Sequence, residues 1–266
     1  MPVNAGKIEI GGADFLIIAG PCAVESERQI LETAEFVARA GAKMLRGGAF
    51  KPRTSPYSFQ GLGLEGLRYL AKARQATGLA VVTEVMSDTQ VELVAEYADV
   101  LQVGSRSMSN WALLAGVAQS RKPVLLKRGM GATVEEYAEA ADFLRANGNP
   151  NIVLCERGLR TVSNTATRNT CDIVAVPVMQ RLTGLPVIVD PSHATGVRDL
   201  VGPLSNAAVA IGADGLIIEV HPHPERALSD GEQSLSFAEF REVVNGIQPY
   251  LRIWNEKRTV CEAAHA

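Results

Sequence analysis

The chain has 266 residues, of which 47% are hydrophobic and 21% are charged, and its formal net charge is −3. This composition is typical of a globular protein with a sizeable core, and the charge provides no global basic field for nucleic acid or an anionic membrane. No apolar run approaches the roughly 20 residues that cross a bilayer, and the N-terminal residues lack the apolar segment of a signal peptide. We therefore expect a cytoplasmic protein that binds neither nucleic acid nor membranes. Its four cysteines form no CxxC pair, which favours free thiols in a reducing compartment.

Short apolar segments alternate with longer segments of helical periodicity from residue 13 to residue 255, which we interpret as one catalytic domain. Residues 1–12 form an N-terminal extension, in which KIEI predicts a short strand or hairpin that closes the bottom of the fold. Residues 256–266 are predicted to be a frayed C-terminal tail. Eight apolar segments predict buried parallel strands, at 15–20, 43–48, 80–85, 100–104, 123–129, 151–158, 185–193 and 214–220.

A helical segment follows each predicted strand. Ser26 is a suitable N-cap for the first helix, which we expect to end at Gly41, and Thr133 with Glu136 fits a capping box. The other predicted helices are 63–78, 87–98, 109–120, 133–148, 172–183, 198–212 and 236–254. Eight strand–helix units predict an α/β fold, a (β/α)8 TIM barrel, for which about 250 residues is typical. A doubly wound sheet with fewer strands is the alternative.

Basic residues stand at the ends of the predicted strands or just after them: Arg46, Lys51, Arg53, Arg106, Lys127 and Arg157. In a barrel the C-terminal ends of the strands meet at one mouth, so these side chains are expected to converge. Converging cations repel one another unless anions neutralise them, which predicts phosphorylated or carboxylated substrates. Thr54 and Ser55 add hydroxyl donors for a phosphate. The alternative is structural ion pairing with Glu84, Glu156 and their neighbours.

Four residues with metal-binding side chains also follow predicted strands. Cys22, His193 and Glu219 follow or end the first, seventh and eighth strands, and Asp230 lies in the loop after the eighth. A thiolate, an imidazole and two carboxylates suit a divalent transition metal such as Mn, Fe, Co or Zn. Taken alone, Cys22 is as well explained as a core thiol and His193 as a general base. For His221 we favour a structural role near the site.

The motifs around these residues resemble the 3-deoxy-D-arabino-heptulosonate 7-phosphate (DAHP) synthase family, and within it the type I beta branch. The resemblance covers residues 10–250 and is carried by AGPCAVES, LRGGAFKPRTSPYSFQG, VGSRSM, LLKRGMGAT, ERGLRT, DPSHATG and IIEVHPHPERALSDGEQSL. It implies a (β/α)8 barrel enzyme that condenses phosphoenolpyruvate with erythrose 4-phosphate and releases phosphate. This transferase reaction is the first step of the shikimate pathway to aromatic amino acids.

The resemblance also implies roles for individual residues. One divalent metal ion would be held by Cys22, His193, Glu219 and Asp230. Phosphoenolpyruvate would be bound by Arg46, Lys51, Arg106, Lys127 and Arg157. The phosphate of erythrose 4-phosphate would be bound by Arg53, Thr54 and Ser55. The catalytic groups would be Lys51, Glu84, Lys127 and His193, with Glu84 and Lys127 positioning the attacking water and Lys51 transferring a proton.

Two other functions remain open at this point. The related 3-deoxy-D-manno-octulosonate 8-phosphate synthases use arabinose 5-phosphate in the same reaction, but they carry a KANRSS-like segment where this chain has KPRTS at 51–55. VGSRS at 103–107 is also more basic than the octulosonate pattern. A non-catalytic sugar-phosphate-binding barrel would have lost a metal ligand or a phosphate-binding cation, and this chain has kept them all.

The resemblance extends to assembly and regulation. The sequence shows no regulatory domain ahead of the barrel and no fused chorismate mutase, so it resembles the barrel-only form of the family. We therefore expect no direct feedback inhibition by phenylalanine or tyrosine, and a separate chorismate mutase is the candidate regulatory partner. The family forms homo-oligomers, commonly tetramers, and we expect a homotetramer or a dimer. The apolar helix face at 111–118 is a candidate interface.

Overall fold

In the computed structural model, residues 1–51, 57–162 and 166–265 are described, the side chains of residue 257 and residues 259–265 excepted. Eight parallel strands close into a barrel in chain order, because the last strand pairs with the first. They are β3 Leu16–Gly20, β4 Met44–Arg46, β5 Ala80–Val85, β6 Val100–Val103, β7 Val124–Lys127, β8 Ile152–Glu156, β9 Val187–Val189 and β10 Gly215–Glu219. The predicted (β/α)8 barrel is confirmed. No helix in the described ranges is both long and apolar enough to span a membrane.

Helices surround the barrel: α1 Glu27–Arg39, α2 Leu64–Thr77, α3 Val91–Tyr97, α4 Trp111–Gln119, α5 Val134–Ala146, α6 Ala175–Thr183, α7 Pro191–Thr195, α8 Arg198–Ile211, α9 Phe237–Gly246 and α10 Gln248–His265. Ser26 caps α1 by accepting a hydrogen bond from the backbone of Gln29, and Thr133 and Glu136 form the predicted capping box of α5. The outward strand residues and the inner faces of these helices form one large buried cluster.

Two of the differences between predicted and observed boundaries have a clear physical cause. The seventh barrel strand ends at Val189 rather than 193, because Asp190 caps the short helix α7 and Pro191 occupies its first turn. The single helix predicted over 236–254 is two helices, α9 and α10, and Pro249 explains the new start because it has no N–H to continue α9. Helix α10 continues through the segment predicted as a C-terminal tail, as far as residue 265.

A short hairpin closes the bottom of the barrel, as the sequence predicted. Strand β1 (Val3–Ala5) pairs antiparallel with β2 (Ile8–Ile10). The turn places Gly6 at φ +63°, a conformation that suits glycine in a two-residue hairpin loop. Val3, Ala5 and Ile10 are buried against apolar side chains inside the barrel, so the hairpin seals this end.

The inside of the barrel has two chemically different halves. Side chains of a strand alternate between its two faces, so every second residue points inward. Towards the bottom, the inward residues form a buried apolar cluster, which we call the lower lumen: Leu16, Ile18, Met44, Val82, Val100, Leu125, Val153, Cys155, Ile188 and Ile217. Two residues further along the same strands stand polar side chains, which we call the upper layer: Arg46, Glu84, Gln102, Lys127, Arg157, Asp190 and Glu219. The strand period therefore places charged groups at the C-terminal mouth.

Candidate active site

The upper layer forms the floor of a cleft at the C-terminal mouth of the barrel. The lining of this cleft includes eight of the predicted site residues: Arg46, Lys51, Glu84, Arg106, Lys127, Arg157, His193 and Asp230. Cys22 and Glu219 are buried and contact residues of this lining. The predicted convergence of these side chains is therefore observed. Arg53, Thr54 and Ser55 lie outside the described residues.

Two cations of the upper layer are neutralised by buried carboxylates. Arg46 Nη1 donates to Glu219 Oε1 at 2.9 Å, and Lys127 Nζ donates to Asp190 Oδ2 at 2.5 Å. All four side chains are almost completely buried. Burial acts to raise the pKa of Asp190, but His193 and Lys127 outweigh it and hold this pKa well below its usual range. Asp190 is therefore ionised and offsets the charge of Lys127.

Arg157 and Arg106, which also line the cleft, have no such partner among the described residues. Arg157 is only 4% exposed, and within the described part of the chain it forms no ion pair, its Nη1 donating to the backbone oxygen of Gly158 at 3.2 Å. Burial lowers the pKa of Arg157, which expresses the cost of placing this charge away from water. Arg106, in a 3-10 turn after β6, faces the same cleft and likewise has no ion pair among the described residues. An anionic ligand between these two side chains would neutralise both.

The four predicted metal ligands lie together at one side of the cleft. Ligand atoms of Cys22, Glu219 and Asp230 lie within 4.8 Å of one another. Cys22 Sγ is 3.1 Å from Asp230 Oδ2, and His193 Nε2 is 3.5 Å from Glu219 Oε1 and 3.7 Å from Asp230 Oδ2. A sulphur, an imidazole nitrogen and two carboxylates at this spacing fit one divalent transition metal ion.

The protonation of Cys22 depends on whether a cation is present. Burial, followed by the charge of Glu219, raises the pKa of the Cys22 thiol to about 12. Without a cation the sulphur therefore carries a proton at neutral pH. Because a metal binds the thiolate, binding would release that proton, and metal affinity would rise with pH.

Lys51 joins the metal-ligand cluster to the rest of the cleft. Its Nζ lies 3.0 Å from Cys22 Sγ and 3.0 Å from the Cys22 backbone oxygen. Burial acts to lower the pKa of Lys51, but Cys22 and Glu84 outweigh it and the pKa is raised. Gly48 makes room for this arrangement, because a Cβ there would lie 2.8 Å from Cδ of Lys51.

Glu84 is positioned by its neighbours on β6. Gln102 Nε2 lies 3.4 Å from Glu84 Oε2, and a Cβ at position 104 would lie 2.1 Å from Glu84 Oε1. Gly104 therefore allows the carboxylate to lie directly over the backbone. This places an acid beside Lys51, and the negative charge of Glu84 acts to raise the pKa of Lys51.

A family model described as the DAHP synthetase I family matches residues 1–252. The chain belongs to this family. It is 54% identical over 242 residues to the phospho-2-dehydro-3-deoxyheptonate aldolase of Thermotoga maritima, which covers 91% of this chain and 71% of that protein. It is 38% identical over 235 residues to the 2-dehydro-3-deoxyphosphooctonate aldolase of Thioalkalivibrio sulfidiphilus, which covers 82% of each chain.

Solved structures agree with membership of the DAHP synthetase I family. The crystal structure of the Thermotoga maritima phospho-2-dehydro-3-deoxyheptonate aldolase (DAHP synthase) matches with a TM-score of 0.93 at 50% identity, over 96% of this chain and 74% of that one. A truncated form of 3-deoxy-D-arabino-heptulosonate 7-phosphate synthase from the same organism matches with a TM-score of 0.89 at 47% identity, over 96% and 93% of the two chains.

Sequence reasoning missed two members of the upper layer in this DAHP synthetase I barrel. Asp190 accepts the backbone N–H of His193 at 2.9 Å through Oδ1, and its Oδ2 lies 2.8 Å from His193 Nδ1. It thus orients the predicted ligand as well as pairing with Lys127. Asp190 follows Ile188 by two residues, as Gln102 follows Val100, so the strand period was the signal that could have found both.

A buried network below the mouth was also missed. Arg128 Nη1 donates to Glu156 Oε2 and to Asp172 Oδ2, both at 2.9 Å. Glu156 Oε1 accepts the backbone N–H of Gly158 at 2.6 Å, which fixes the backbone just after Arg157. Of the two acids considered as structural partners of the predicted cations, Glu156 therefore pairs with Arg128 instead.

His221 has a contact that supports a structural role. Its Nδ1 accepts the backbone N–H of His223 at 3.0 Å, so the proton resides on Nε2, which lies 3.3 Å from Glu25 Oε2. Glu25 Oε1 also accepts the backbone N–H of Leu228 at 2.8 Å. The His221–Glu25 pair thus ties the loop after β3, which carries Cys22, to the loop after β10.

Proposed function

We propose that the protein is a 3-deoxy-D-arabino-heptulosonate 7-phosphate synthase, a transferase that condenses phosphoenolpyruvate with erythrose 4-phosphate and water. C3 of the enol forms a bond to the aldehyde carbon, water oxygen bonds to C2, and the C–O bond to the phosphate breaks to release inorganic phosphate. This is the first step of the shikimate pathway. The observation that carries the proposal is a pair of cations, Arg106 and Arg157, that have no carboxylate partner among the described residues and lie beside a Cys–His–Glu–Asp cluster in a member of the DAHP synthetase I family.

Phosphoenolpyruvate supplies anionic partners for Arg106 and Arg157, which have none among the described residues of the cleft. We assign its phosphate and carboxylate to Arg106, Arg157 and Lys127, with Arg46 and Lys51 completing the group. Arg157 is buried and has no ion pair among the described residues, so a bound anion removes a desolvation cost as well as adding hydrogen bonds. Arg53, Thr54 and Ser55 are proposed to bind the phosphate of erythrose 4-phosphate.

The aldehyde substrate is proposed to react beside the metal-ligand cluster. A divalent ion held by Cys22, His193, Glu219 and Asp230 would polarise the aldehyde oxygen as a Lewis acid. The choice among Mn, Fe, Co and Zn is left to their availability, because this donor set accepts each of them. Asp190 keeps the ring of His193 turned so that Nε2 faces the two carboxylates.

The remaining steps are proton transfers, which we assign to the half-buried Glu84 and the buried amines Lys51 and Lys127. Glu84 and Lys127 are proposed to orient the water that adds to C2, with Glu84 accepting its proton. Lys51 lies between Cys22 and Glu84 and carries a proton at neutral pH, so it is placed to donate that proton as the new alkoxide forms. His193 serves as a ligand in this scheme, and its contacts with two carboxylates favour that role over a general base.

Erythrose 4-phosphate is favoured over arabinose 5-phosphate on two grounds. The chain is 54% identical to a heptonate aldolase, whereas the octonate aldolases of Thioalkalivibrio sulfidiphilus and Syntrophotalea carbinolica are 38% and 36% identical. The KPRTS segment at 51–55 also places an arginine after the proline, where octulosonate synthases carry KANRSS-like sequences. We place the enzyme in the cytoplasm and propose a homotetramer or dimer, with the exposed ring of Trp111 on α4 as part of an interface.

The test is phosphate release from phosphoenolpyruvate by protein stripped with EDTA and then supplied with Mn. Erythrose 4-phosphate and arabinose 5-phosphate are offered in parallel, with metal-free protein as the control for each. We expect release only with erythrose 4-phosphate and only with metal. Release with arabinose 5-phosphate would reassign the protein to the octulosonate reaction, and metal-independent release would remove Cys22, His193, Glu219 and Asp230 from the mechanism.

A further inference from the structure

Two side chains outside the predicted ligand set connect its two carboxylates. Arg168 Nη1 donates to Gln233 Oε1 at 2.9 Å and lies 3.3 Å from Asp230 Oδ1. Gln233 Nε2 in turn donates to Glu219 Oε2 at 2.5 Å. We propose that Arg168 and Gln233 are positioning residues that hold Glu219 and Asp230 in place for a divalent cation. This inference rests on the metal site of the proposed function.

The direction of these hydrogen bonds follows from the chemistry of the groups. An arginine can only donate, and the two hydrogens of Nη1 match its two acceptors. Arg168 therefore requires the amide oxygen of Gln233 on its own side, which leaves the amide nitrogen to face Glu219. Gln233 is buried, so both ends of its amide need these partners.

The network uses the carboxylate oxygens that point away from the cluster. Asp230 turns Oδ1 towards Arg168 and keeps Oδ2 at 3.1 Å from the cysteine sulphur. Glu219 gives Oε2 to Gln233, while its Oε1 accepts from Arg46 at 2.9 Å and lies 3.5 Å from the imidazole nitrogen. The Arg168–Gln233 network thus holds one oxygen of each carboxylate, and the other oxygen faces the remaining predicted ligands.

The backbone that carries Arg168 is itself fixed against α7, the helix of His193. Arg168 and Asn169 donate their backbone N–H groups to carbonyl oxygens of α7 at 2.7 and 3.0 Å. Asn169 Nδ2 also donates to the backbone oxygen of His193 at 2.8 Å. Gly196 has φ +66°, and a Cβ there would lie 2.4 Å from Cβ of Arg168, so glycine leaves room for this side chain. One short segment therefore contacts two of the four predicted ligands, Asp230 and His193, and reaches Glu219 through Gln233.

Asp230 shows why such support is needed. Its φ is +53°, in the left-handed region that few residues other than glycine adopt, although aspartate tolerates it better than most. A residue in this conformation persists when its surroundings restrain it. Arg168 supplies a restraint from one side and the Cys22 sulphur from the other.

The experiment measures metal affinity directly. EDTA-stripped protein is titrated with Co(II), and the absorption of the cobalt–thiolate bond to Cys22 reports binding. We expect Arg168→Met and Gln233→Met each to weaken the affinity by about 10- to 100-fold, as is typical when support of metal ligands is lost. In the double variant the two losses should not add, because both residues act in one network.

Arg160→Met is the matched control, because Arg160 lies in the same loop, is exposed like Arg168, and forms no hydrogen bond or ion pair with a predicted ligand among the described residues. It removes the same charge, and we expect parental cobalt affinity. The melting temperature of each metal-free variant is measured first. If Arg168→Met fails to fold, Gln233→Met provides the test on its own.

The outcomes separate this inference from the proposed function. If the unsubstituted protein shows no cobalt–thiolate absorption, the metal site itself is wrong and the inference falls with it. If the parent binds cobalt and both variants bind it equally well, only the inference is overturned. An increased KM for erythrose 4-phosphate with unchanged cobalt affinity would also overturn it, because Arg168 would then be a substrate-binding residue.

Discussion

The lower lumen is built from all eight barrel strands and the upper layer from seven of the same strands, yet they differ completely in chemistry. The lower lumen is apolar from wall to wall and is closed by the β1–β2 hairpin. The upper layer holds three basic side chains, three acidic side chains and one amide: Arg46, Lys127, Arg157, Glu84, Asp190, Glu219 and Gln102. Burial of apolar surface stabilises a fold by about 25 cal/mol per Å², whereas burial of ions carries a desolvation penalty that pairing only partly offsets. The lower lumen therefore stabilises the barrel, and the upper layer is retained for function.

The largest expected effect comes from a functional amine next to the upper layer. Lys51→Met keeps the length and bulk of the side chain but removes the charge beside Cys22 and Glu84. We expect turnover to fall by about 10³-fold, or roughly 4 kcal/mol of transition-state stabilisation, with little change in folding. Steady-state kinetics and thermal unfolding check this. Lys72→Met is the control, because Lys72 is exposed on α2, and turnover retained in Lys51→Met would remove Lys51 from the mechanism.

The lower lumen should show the opposite response. Ile217→Ala removes a fully buried side chain, and we expect the free energy of unfolding to fall by about 3 kcal/mol with kcat unchanged. The same substitution at Ile253, which is 52% exposed on α10, should change stability by less than about 0.5 kcal/mol. Urea unfolding and initial rates measure both. A large loss of kcat in folded Ile217→Ala would contradict the division between the two halves.

Asp190 tests whether a buried ion pair of the upper layer also affects stability. Asp190→Asn removes the partner of Lys127 while asparagine can still cap α7, and we expect a loss of about 2 kcal/mol at pH 7. Asp190→Ala should lose about 1 kcal/mol more, because the cap is lost as well. Equal stabilities of the two variants would contradict the capping role.

The pH dependence of this loss has a defined sign. Because the folded pKa of Asp190 lies below its usual value, the ionised carboxylate stabilises the fold fully above the unfolded pKa of about 3.9, and this stabilisation is lost as the pH falls through the folded pKa. The difference in unfolding free energy between parent and Asp190→Asn should therefore shrink as the pH falls below about 4. Urea unfolding at a series of pH values measures it, and a difference that grows below about pH 4 would contradict the ion pair.

The smallest expected effect is a displacement of one carboxylate. Gly104→Ala places a Cβ where Glu84 Oε1 now lies, so Glu84 must move. We expect kcat to fall by about tenfold, which corresponds to roughly 1.4 kcal/mol, with a small change in melting temperature. Gly131→Ala is the matched control, since a Cβ there meets no atom within 4 Å. Normal turnover in Gly104→Ala would argue against a role for the position of Glu84.

The sequence predicted the barrel because its physical causes are local. Each strand is a nearly continuous apolar run, and each helix has its own amphipathic pattern and caps such as Ser26 and Thr133. The parallel strands then bring their ends together by geometry alone, which is why Arg46, Lys127 and Arg157 were predicted to share a mouth. The boundaries that failed, at Asp190 and Pro249, are places where a single capping or helix-starting residue overrides an apolar pattern.

The partners of the site residues were less predictable. Pairing of Lys127 with Asp190 and of Arg46 with Glu219 depends on side-chain directions that a sequence shows only through the strand period. Arg168 lies in a loop, where side chains do not alternate regularly as they do along a strand. Its contacts with Asp230 and Gln233 arise from how that loop folds back over α7. Its role was therefore found only in three dimensions.

The closed lower end of the barrel also has a consequence for the order in which ligands bind and leave. Within the described residues, the hairpin and the packed side chains of the lower lumen close the bottom of the barrel, so the cleft is entered from the C-terminal mouth. Whatever binds on the floor, beside Lys127 and Arg157, must enter before anything that binds above it. Release must then follow the reverse order, so a molecule bound near the mouth of the cleft blocks both entry and release.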